Sequence, residues 1–123
     1  MTADEAAEAS ADCLFCRISA GEIPADIVHQ DDLVIAFRDV APKAPTHVLL
    51  IPRRHIASAL ELRETDGPLL GRLFAIAADL ARSEGVAEAG YRLVTNIGAW
   101  GGQSVEHLHV HLLGGRRLGW PPG

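Results

Sequence analysis

A run of seven residues near the end of the chain, from 107 to 113, alternates histidine with aliphatic residues and closes on two leucines. In an extended strand successive side chains point to opposite faces, so His107, His109 and His111 should share one face. The aliphatic face can then pack on a core, which leaves the imidazole face for solvent or a ligand. Half of the six histidines lie in this run, so a functional cluster is favoured over isolated structural histidines.

Three imidazoles at this spacing suit chemistry at a phosphate. Residues two apart on a strand have Cα atoms about 6.5–7 Å apart, so the outer pair can flank one phosphate while the middle ring faces phosphorus. Because like charges oppose one another's protonation, crowding three rings should keep the middle ring neutral near pH 7. A neutral ring has one acceptor nitrogen, which is the nucleophile. Attack at phosphorus would form a nucleotidyl-histidine and split one displacement into two steps.

The segment that leads into the run is rich in glycine and reads Gly-Ala-Trp-Gly-Gly-Gln-Ser from 98 to 104. Gly101 and Gly102 allow the backbone to approach a ligand closely and to orient its N–H groups toward an anion. Gln103 and Ser104 add hydrogen-bonding side chains. Alone, such a segment is more typical of a flexible hairpin loop. Beside three histidines, it predicts a phosphate-binding loop.

Periodicity predicts the elements that must position these residues. Apolar residues at helical spacing predict one main helix, capped by Thr65 or Asp66, with Pro68 in its first turn and Gly85 at its end. A short helical turn is expected over 15–20. The short connections imply an α+β fold with a largely antiparallel sheet that is covered on one face. Strands are predicted over residues 26–30, 33–38, 47–51 and 91–97, followed by the histidine strand.

Length and charge limit the function further. The chain of 123 residues fits one domain, expected over 13–123, after an acidic segment over 1–12 that we expect to be disordered. The net charge of −5 argues against a broad nucleic-acid surface but leaves single nucleotides as ligands. The first residues do not resemble a secretory signal, and no apolar run reaches the roughly 18 residues of a membrane span. We therefore expect a cytoplasmic protein without a membrane partner.

Cys13 and Cys16 form a Cys-x-x-Cys pair. In a reducing compartment a structural disulfide is not expected, which leaves metal binding, redox chemistry or simple packing. Two thiolates at this spacing can share one tetrahedral zinc ion, but a second local pair of ligands is missing from the sequence around them.

The run from 107 to 113 matches, at every position, the signature His-φ-His-φ-His-φ-φ of the histidine triad (HIT) superfamily, in which φ is hydrophobic. The chain resembles the HINT branch of that superfamily from about residue 15 to 123. This resemblance implies a HIT-like fold, in which a five-stranded sheet with one main helix and a short N-terminal helix pairs with a second copy. The result would be a homodimer with a ten-stranded sheet. The segments that carry the resemblance are 37–40, 44–47, 51–55, 90–92, 101–104, 113–116 and 120–123.

The resemblance implies a purine nucleoside phosphoramidase, which hydrolyses the P–N bond of adenosine 5′-monophosphoramidates and requires no cofactor. By position, His109 matches the nucleophile. His107 and His111 match its flanking partners, which bind the phosphate and assist proton transfer, and His47 matches a fourth histidine behind the triad. Ser104 or a flanking histidine would deliver the proton to the departing amine.

The resemblance also implies the nucleotide contacts. Asp39 matches the carboxylate that accepts both ribose hydroxyls, which suits an ionised carboxylate. Trp120 matches a residue that enters the partner subunit's site. Without the resemblance, the apolar residues of this set would be read as core and Asp39 as a turn residue. The remaining contacts are Phe15, Ile18, Ile23 and Phe37 around the purine, Val40 next to Asp39, and Asn96, Gly102, Gln103, Ser104, His109 and His111 near the ribose and phosphate.

Some members of the superfamily complete a structural zinc site with the residues that match His55 and His107. Cys13, Cys16, His55 and His107 are therefore candidate zinc ligands, and free, partly buried thiols are the alternative. Three other functions remain compatible with the sequence. They are a dinucleoside polyphosphate hydrolase of the same superfamily, a non-catalytic nucleotide-binding dimer, and a metalloenzyme that uses the three histidines as zinc ligands.

Overall fold

The structure, a computed structural model, describes residues 12–123. Five strands form one antiparallel sheet: β1 (Ile27–Gln30), β2 (Val34–Arg38), β3 (Thr46–Pro52), β4 (Arg92–Val94) and β5 (Val110–Gly114). Their order across the sheet is β1-β2-β3-β5-β4. The predicted α+β class, with one main helix and a short N-terminal helix, is confirmed. The acidic segment predicted over 1–12 lies outside the described residues except for Asp12. The helices are α1 (Leu14–Ser19) and α2 (Gly67–Ser83), with 3-10 turns at Ala59–Glu61 and Glu64–Asp66.

Strand β3 lies at the centre of the sheet and is buried along its whole length. A strand covered on both faces needs apolar residues at successive positions, which explains the continuous run from Val48 to Ile51. Its antiparallel register with β5 sets His47 opposite Leu113 and Leu49 opposite His111. The central strand therefore brings a fourth histidine beside the histidine run.

Helix α2 covers one face of the sheet. Its apolar stripe, which includes Leu73, Ala77 and Leu80, packs on aliphatic residues of β2, β3 and β5. The helix starts where predicted, but the Asp66 carboxylate accepts a hydrogen bond from the Arg63 N–H and pairs with Arg54 instead of capping α2. The buried residues between α2 and the sheet are all aliphatic, and their packing holds the helix against the sheet.

Helix α1 covers part of the other face, so the prediction of a sheet covered on one face is wrong. Phe15, Cys16 and Ile18 pack against Phe37 and Ile51 in a second buried cluster. The physical reason is that β2 and β3 carry apolar residues on both faces, and the second face has to be removed from water as well. The two cysteines and the histidines lie on this second face.

Two strands are shorter than predicted, and both differences shape the site. Strand β4 ends at Val94 rather than near residue 97, because the chain leaves the sheet in a glycine-rich turn. Strand β5 begins at Val110, so His107 and His109 lie in the segment just before the paired strand. Within residues 12–123, none of the helices is long and apolar enough to cross a membrane.

Candidate active site

Five of the six histidines form one continuous row. The ring of His109 lies 5.0 Å from that of His111, and His111 lies 5.1 Å from His47, measured between centroids. At the other end, His107 lies 4.9 Å from His55. Phe15 on α1 bridges the middle, with its ring 5.9 Å from His107 and 5.1 Å from His109. The structure therefore brings the three predicted triad residues and His47 into one site, with His109 at its centre.

The tautomer of His109 follows from its backbone partner. Its Nδ1 lies 2.7 Å from the carbonyl oxygen of His107. A carbonyl oxygen only accepts hydrogen bonds, so Nδ1 carries a proton, and in the neutral form of the ring Nε2 holds the lone pair. The backbone of the same segment is held by the Thr95 hydroxyl, which donates to the His109 carbonyl over 2.9 Å. The hydrogen bond at Nδ1 therefore makes Nε2 the nucleophilic atom of the central ring.

A relay of defined hydrogen bonds ends at His111. The Lys43 backbone N–H donates to Nδ1 of His47 over 3.0 Å. The other nitrogen of His47 therefore carries the proton and donates to Nδ1 of His111 over 2.9 Å. This leaves Nε2 of His111 as an N–H donor. Burial lowers the pKa of His111 to about 4, with smaller contributions from its histidine neighbours, and burial also lowers the pKa of His47.

His107 is oriented away from any ligand of His109. The residue is completely buried, and its Nε2 donates to the Pro52 carbonyl over 2.8 Å. Its Nδ1 faces the Sγ atoms of Cys13 and Cys16, at 3.3 and 3.5 Å. Both ring nitrogens are engaged by protein, so the expected direct contact between His107 and the phosphate does not fit this geometry. Burial lowers the pKa of His107 to about 4.

The four candidate zinc ligands do come together. The ligand atoms of Cys13, Cys16, His55 and His107 all lie within 4.8 Å of one another, and Cys16 Sγ is 3.3 Å from Nδ1 of His55. Two sulfurs and two imidazole nitrogens at this separation fit the donor set of a closed tetrahedral zinc site. Burial raises the pKa of the Cys16 thiol to about 12, so metal binding there would have to displace a proton.

Asp39, His47 and His111 also lie within 4.8 Å of one another. Their hydrogen bonds argue against a metal there, because the Nε2 of His47 carries a proton and already donates to His111. The three triad rings thus belong to different groups of partners. The metalloenzyme alternative, in which His107, His109 and His111 share one zinc ion, does not fit these partners.

The glycine-rich loop is held by its own side chains. The Gln103 amide nitrogen donates to the carbonyls of Ala57 and Val105, and its oxygen accepts from the Gly98 N–H. Asn96 donates to the carbonyl of Gly101 over 2.7 Å. A Cβ at Gly101 would clash with the Ile97 carbonyl oxygen. Gln103 and Asn96 therefore shape the loop, while Ser104 is exposed.

The residues expected around a purine pack as a cluster. Phe15, Ile18 and Phe37 are buried on the α1 face, Ile23 packs against them, and the two phenylalanine rings lie 5.5 Å apart. Most of the surface of these side chains is therefore buried in the protein core. Val40 is fully exposed beside the half-buried Asp39, and Trp120 is 83% exposed in the single chain.

Sequence reasoning missed the backbone partners of the histidines. These are the carbonyls of Pro52 and His107 and the N–H of Lys43. Main-chain groups are present at every residue, so no sequence pattern distinguishes those that set a tautomer. The one available signal was the pair of prolines around Lys43, which predicts an irregular connector.

The model of the HIT domain matches residues 20–118. This chain belongs to the HIT family. Among its relatives, the purine nucleoside phosphoramidase of Escherichia coli is 52% identical over 106 residues, which are 86% of this chain and 89% of that protein. An uncharacterized HIT-like protein of Synechococcus elongatus is 55% identical over 93% of this chain and 99% of its own length. A HIT family hydrolase of Legionella pneumophila superimposes on this HIT domain with a TM-score of 0.89 at 52% identity, covering 90% and 99% of the two chains.

Proposed function

We propose that this HIT protein is a purine nucleoside phosphoramidase, which hydrolyses the P–N bond of purine nucleoside 5′-monophosphoramidates. The observation that carries the proposal is the hydrogen bond from Nδ1 of His109 to the His107 carbonyl, which makes Nε2 the acceptor nitrogen of the neutral ring, inside a row of histidines. The identity of 52% with a relative of that activity supports the same reaction class.

The reaction has two steps. In the first, Nε2 of His109 forms a bond to the α-phosphorus, and the P–N bond to the amine breaks as the amine takes up a proton. In the second, water attacks the nucleotidyl-histidine, which releases the nucleoside monophosphate and restores His109. The Nε2–H of His111 is the donor toward the phosphate oxygens, because His47 holds its other nitrogen. The exposed Ser104 or His111 supplies the proton to the amine.

The nucleoside part would lie on the α1 face of the sheet. In this proposal Asp39 accepts hydrogen bonds from the ribose hydroxyls, and Val40 contacts the nucleoside beside it. Gly102 and Ser104 bind the phosphate through the loop, whose shape Asn96 and Gln103 maintain. The purine would contact the outer surface of the apolar cluster formed by Phe15, Ile18, Ile23 and Phe37.

We also propose a homodimer. Strand β4 is an edge strand of three residues, and its Arg92 donates a hydrogen bond to the Gly119 carbonyl of the C-terminal segment. Ile97, just after β4, and Trp120, next to Gly119, are exposed in the single chain. Pairing of two edges would extend the sheet to ten strands and place Trp120 in the partner's site. Sedimentation equilibrium tests this proposal, and a monomer at micromolar concentration would contradict it.

A structural zinc ion is the second part of the proposal, with Cys13, Cys16, His55 and His107 as ligands. When bound, the ion supplies a crosslink between α1 and the histidine row rather than a step in catalysis. Metal analysis of protein purified without chelator should show one zinc per chain, and none in Cys13→Ser. The absence of zinc in both proteins would refute the site. We further propose that residues 13–123 act as the single domain and work in the cytoplasm, where reducing conditions keep both thiols free.

The decisive experiment for the activity compares two substrates on the wild type and on His109→Ala. The wild type should hydrolyse an adenosine 5′-phosphoramidate, and the variant should lose at least about a thousandfold in kcat because the nucleophile is absent. Binding of adenosine monophosphate should survive in the variant, which shows that the site is folded.

The same assay separates the alternatives. Faster turnover of a diadenosine polyphosphate than of the phosphoramidate would identify the dinucleoside polyphosphate hydrolase. Nucleotide binding without turnover of either substrate would identify a non-catalytic binding dimer. Phosphoramidase activity retained in His109→Ala would overturn the assignment of the nucleophile.

A further inference from the structure

We infer that Cys13, Cys16 and His55 are positioning residues for the nucleophile. They hold the ring of His107, and the carbonyl of His107 in turn sets the tautomer and orientation of His109. We call these three residues, together with His107, the thiol clamp. The inference rests on the proposed function for its activity measurement, while its spectroscopic measurement is independent of the reaction.

The first step of the argument is that the thiol clamp holds His107 at both ring nitrogens. On one side Nε2 donates to the Pro52 carbonyl over 2.8 Å. On the other side Nδ1 lies 3.3 Å from Cys13 Sγ and 3.5 Å from Cys16 Sγ. The residue is completely buried, so packing and hydrogen bonds together leave the ring one orientation. The thiols therefore determine where residue 107 sits relative to the sheet.

The second step is that the backbone of His107 is the partner of the nucleophile. Its carbonyl oxygen lies 2.7 Å from Nδ1 of His109. A neutral imidazole that lost this acceptor could protonate on Nε2 instead, and that tautomer is not a nucleophile at this atom. A small rotation of the peptide at residue 107 is enough to weaken the bond, because hydrogen bonds lose strength as they bend. The position of His107 thus controls the fraction of competent His109.

The third step is that α1 links the thiols to His109 a second time. Phe15 lies between the two cysteines in sequence, and its ring contacts the rings of both His107 and His109. Cys13 is the N-cap of the helix, and its sulfur accepts the backbone N–H of Cys16 over 3.3 Å. Loosening the thiol clamp would therefore shift the aromatic ring that packs on the nucleophile as well as the carbonyl that orients it.

The opposite face of the sheet shows that simple packing does not require these residue types. The buried residues of the cluster under α2 are all aliphatic, with neither a thiol nor an imidazole among them. On the α1 face, the sulfurs of Cys13 and Cys16 both lie next to Nδ1 of His107, and His55 contacts the sulfur of Cys16. These contacts hold His107, and the carbonyl of His107 accepts the hydrogen bond from His109. This is the arrangement that a positioning role requires.

The test uses three variants of the full chain and two controls. Cys16→Ala removes one sulfur. Cys13→Ser keeps a helix-capping side chain, but its shorter bond to oxygen lengthens the distance to His107. His55→Gln removes the imidazole that contacts Cys16, at a half-buried position. The controls are Arg17→Ala, which is exposed on the same helix, and Ile76→Val, which perturbs the core on the opposite face. Each protein is assayed with adenosine 5′-phosphoramidate, and the tautomer of His109 is read from two-bond ¹H–¹⁵N correlation spectra.

We expect kcat to fall about tenfold in the cysteine variants, with a smaller change in KM, because Asp39 and the glycine-rich loop, which bind ribose and phosphate in the proposed function, lie outside the thiol clamp. Their spectra should show His109 as a mixture of tautomers, whereas the wild type and both controls show Nδ1–H alone. Zinc content, measured on the same samples, shows whether the effect follows the metal or the thiols themselves.

Folded clamp variants with an unchanged kcat and a pure Nδ1–H tautomer would overturn the inference. If a cysteine variant does not fold, His55→Gln decides by the same two measurements, because His55 lies outside the buried cluster. If the wild type hydrolyses no phosphoramidate, the proposed function fails, and the tautomer spectra alone still decide whether the thiol clamp positions His109.

Discussion

The two triad histidines that flank His109, the His107 end and the His111 end of the triad, have the same spacing from His109 in sequence, but their surroundings are opposite. At one end His107 is fully buried, with its ring between the Pro52 carbonyl and two thiols. At the other end His111 is half-buried, receives a hydrogen bond from His47, and keeps one N–H for a ligand. One end faces the protein, and the other faces the proposed substrate.

The comparison shows that charge does not separate the two histidines. Burial lowers the pKa of both to about 4, so both are neutral near pH 7. What differs is the set of hydrogen-bond partners, which engages both ring nitrogens of His107 and leaves one N–H of His111 for the phosphate of the proposed substrate. Variants at the two ends should therefore fail in different ways.

The largest effect is expected from His107→Ala. Removing a fully buried ring leaves a cavity and deprives the Pro52 carbonyl of its donor, which should lower the free energy of unfolding by about 3 kcal/mol. Urea denaturation measures this loss. A change below about 1 kcal/mol would mean that the His107 end is not the structural end.

His111→Ala should show the opposite pattern. Loss of the N–H donor toward the phosphate should lower kcat about a hundredfold, the typical cost of removing one donor that stabilises a transition state. The free energy of unfolding should change by less than that of His107→Ala, because the ring is partly exposed. Equal stability losses at the two positions would remove the distinction between the ends.

Asp39→Asn refines the description of the His111 end. The carboxylate is half-buried and lies 3.5 Å from His47. If it holds the ribose, its neutral replacement should raise KM about tenfold through weaker hydrogen bonds, with kcat nearly unchanged. Should kcat fall and KM stay constant, Asp39 would act through His47 rather than on the nucleoside.

The smallest expected effect is a pH dependence of the free energy of unfolding, which arises from His111 and His47. The folded-state pKa of His111 is about 4 and that of His47 is lowered, whereas the ordinary value is 6.5. Between these values the unfolded chain binds protons that the native state does not, so stability falls as pH drops from about 6.5 toward 4. Thermal melts of the wild type and His111→Gln measure it, and identical slopes would contradict the prediction.

Much of the fold was accessible from local patterns. The main helix, the central strand and the short N-terminal helix all appear within a few residues of their predicted bounds, because hydrophobic periodicity reports which side of an element is buried. The shortened β4 and the covered second face were not predicted. The length of β4 depends on strand pairing, and the cover of the second face depends on the packing of α1 against the sheet. Both involve contacts between residues far apart in sequence.

The sequence alone determined the chemistry available: three imidazoles in alternation, a glycine-rich loop before them, and a Cys-x-x-Cys pair. Side-chain alternation along extended backbone is local geometry, so it needs no tertiary information. Only the tertiary structure decided which histidine does what. His107 meets Cys13 across 94 positions and His111 meets His47 across 64, and a ring's tautomer is set by the partners that such long-range packing delivers.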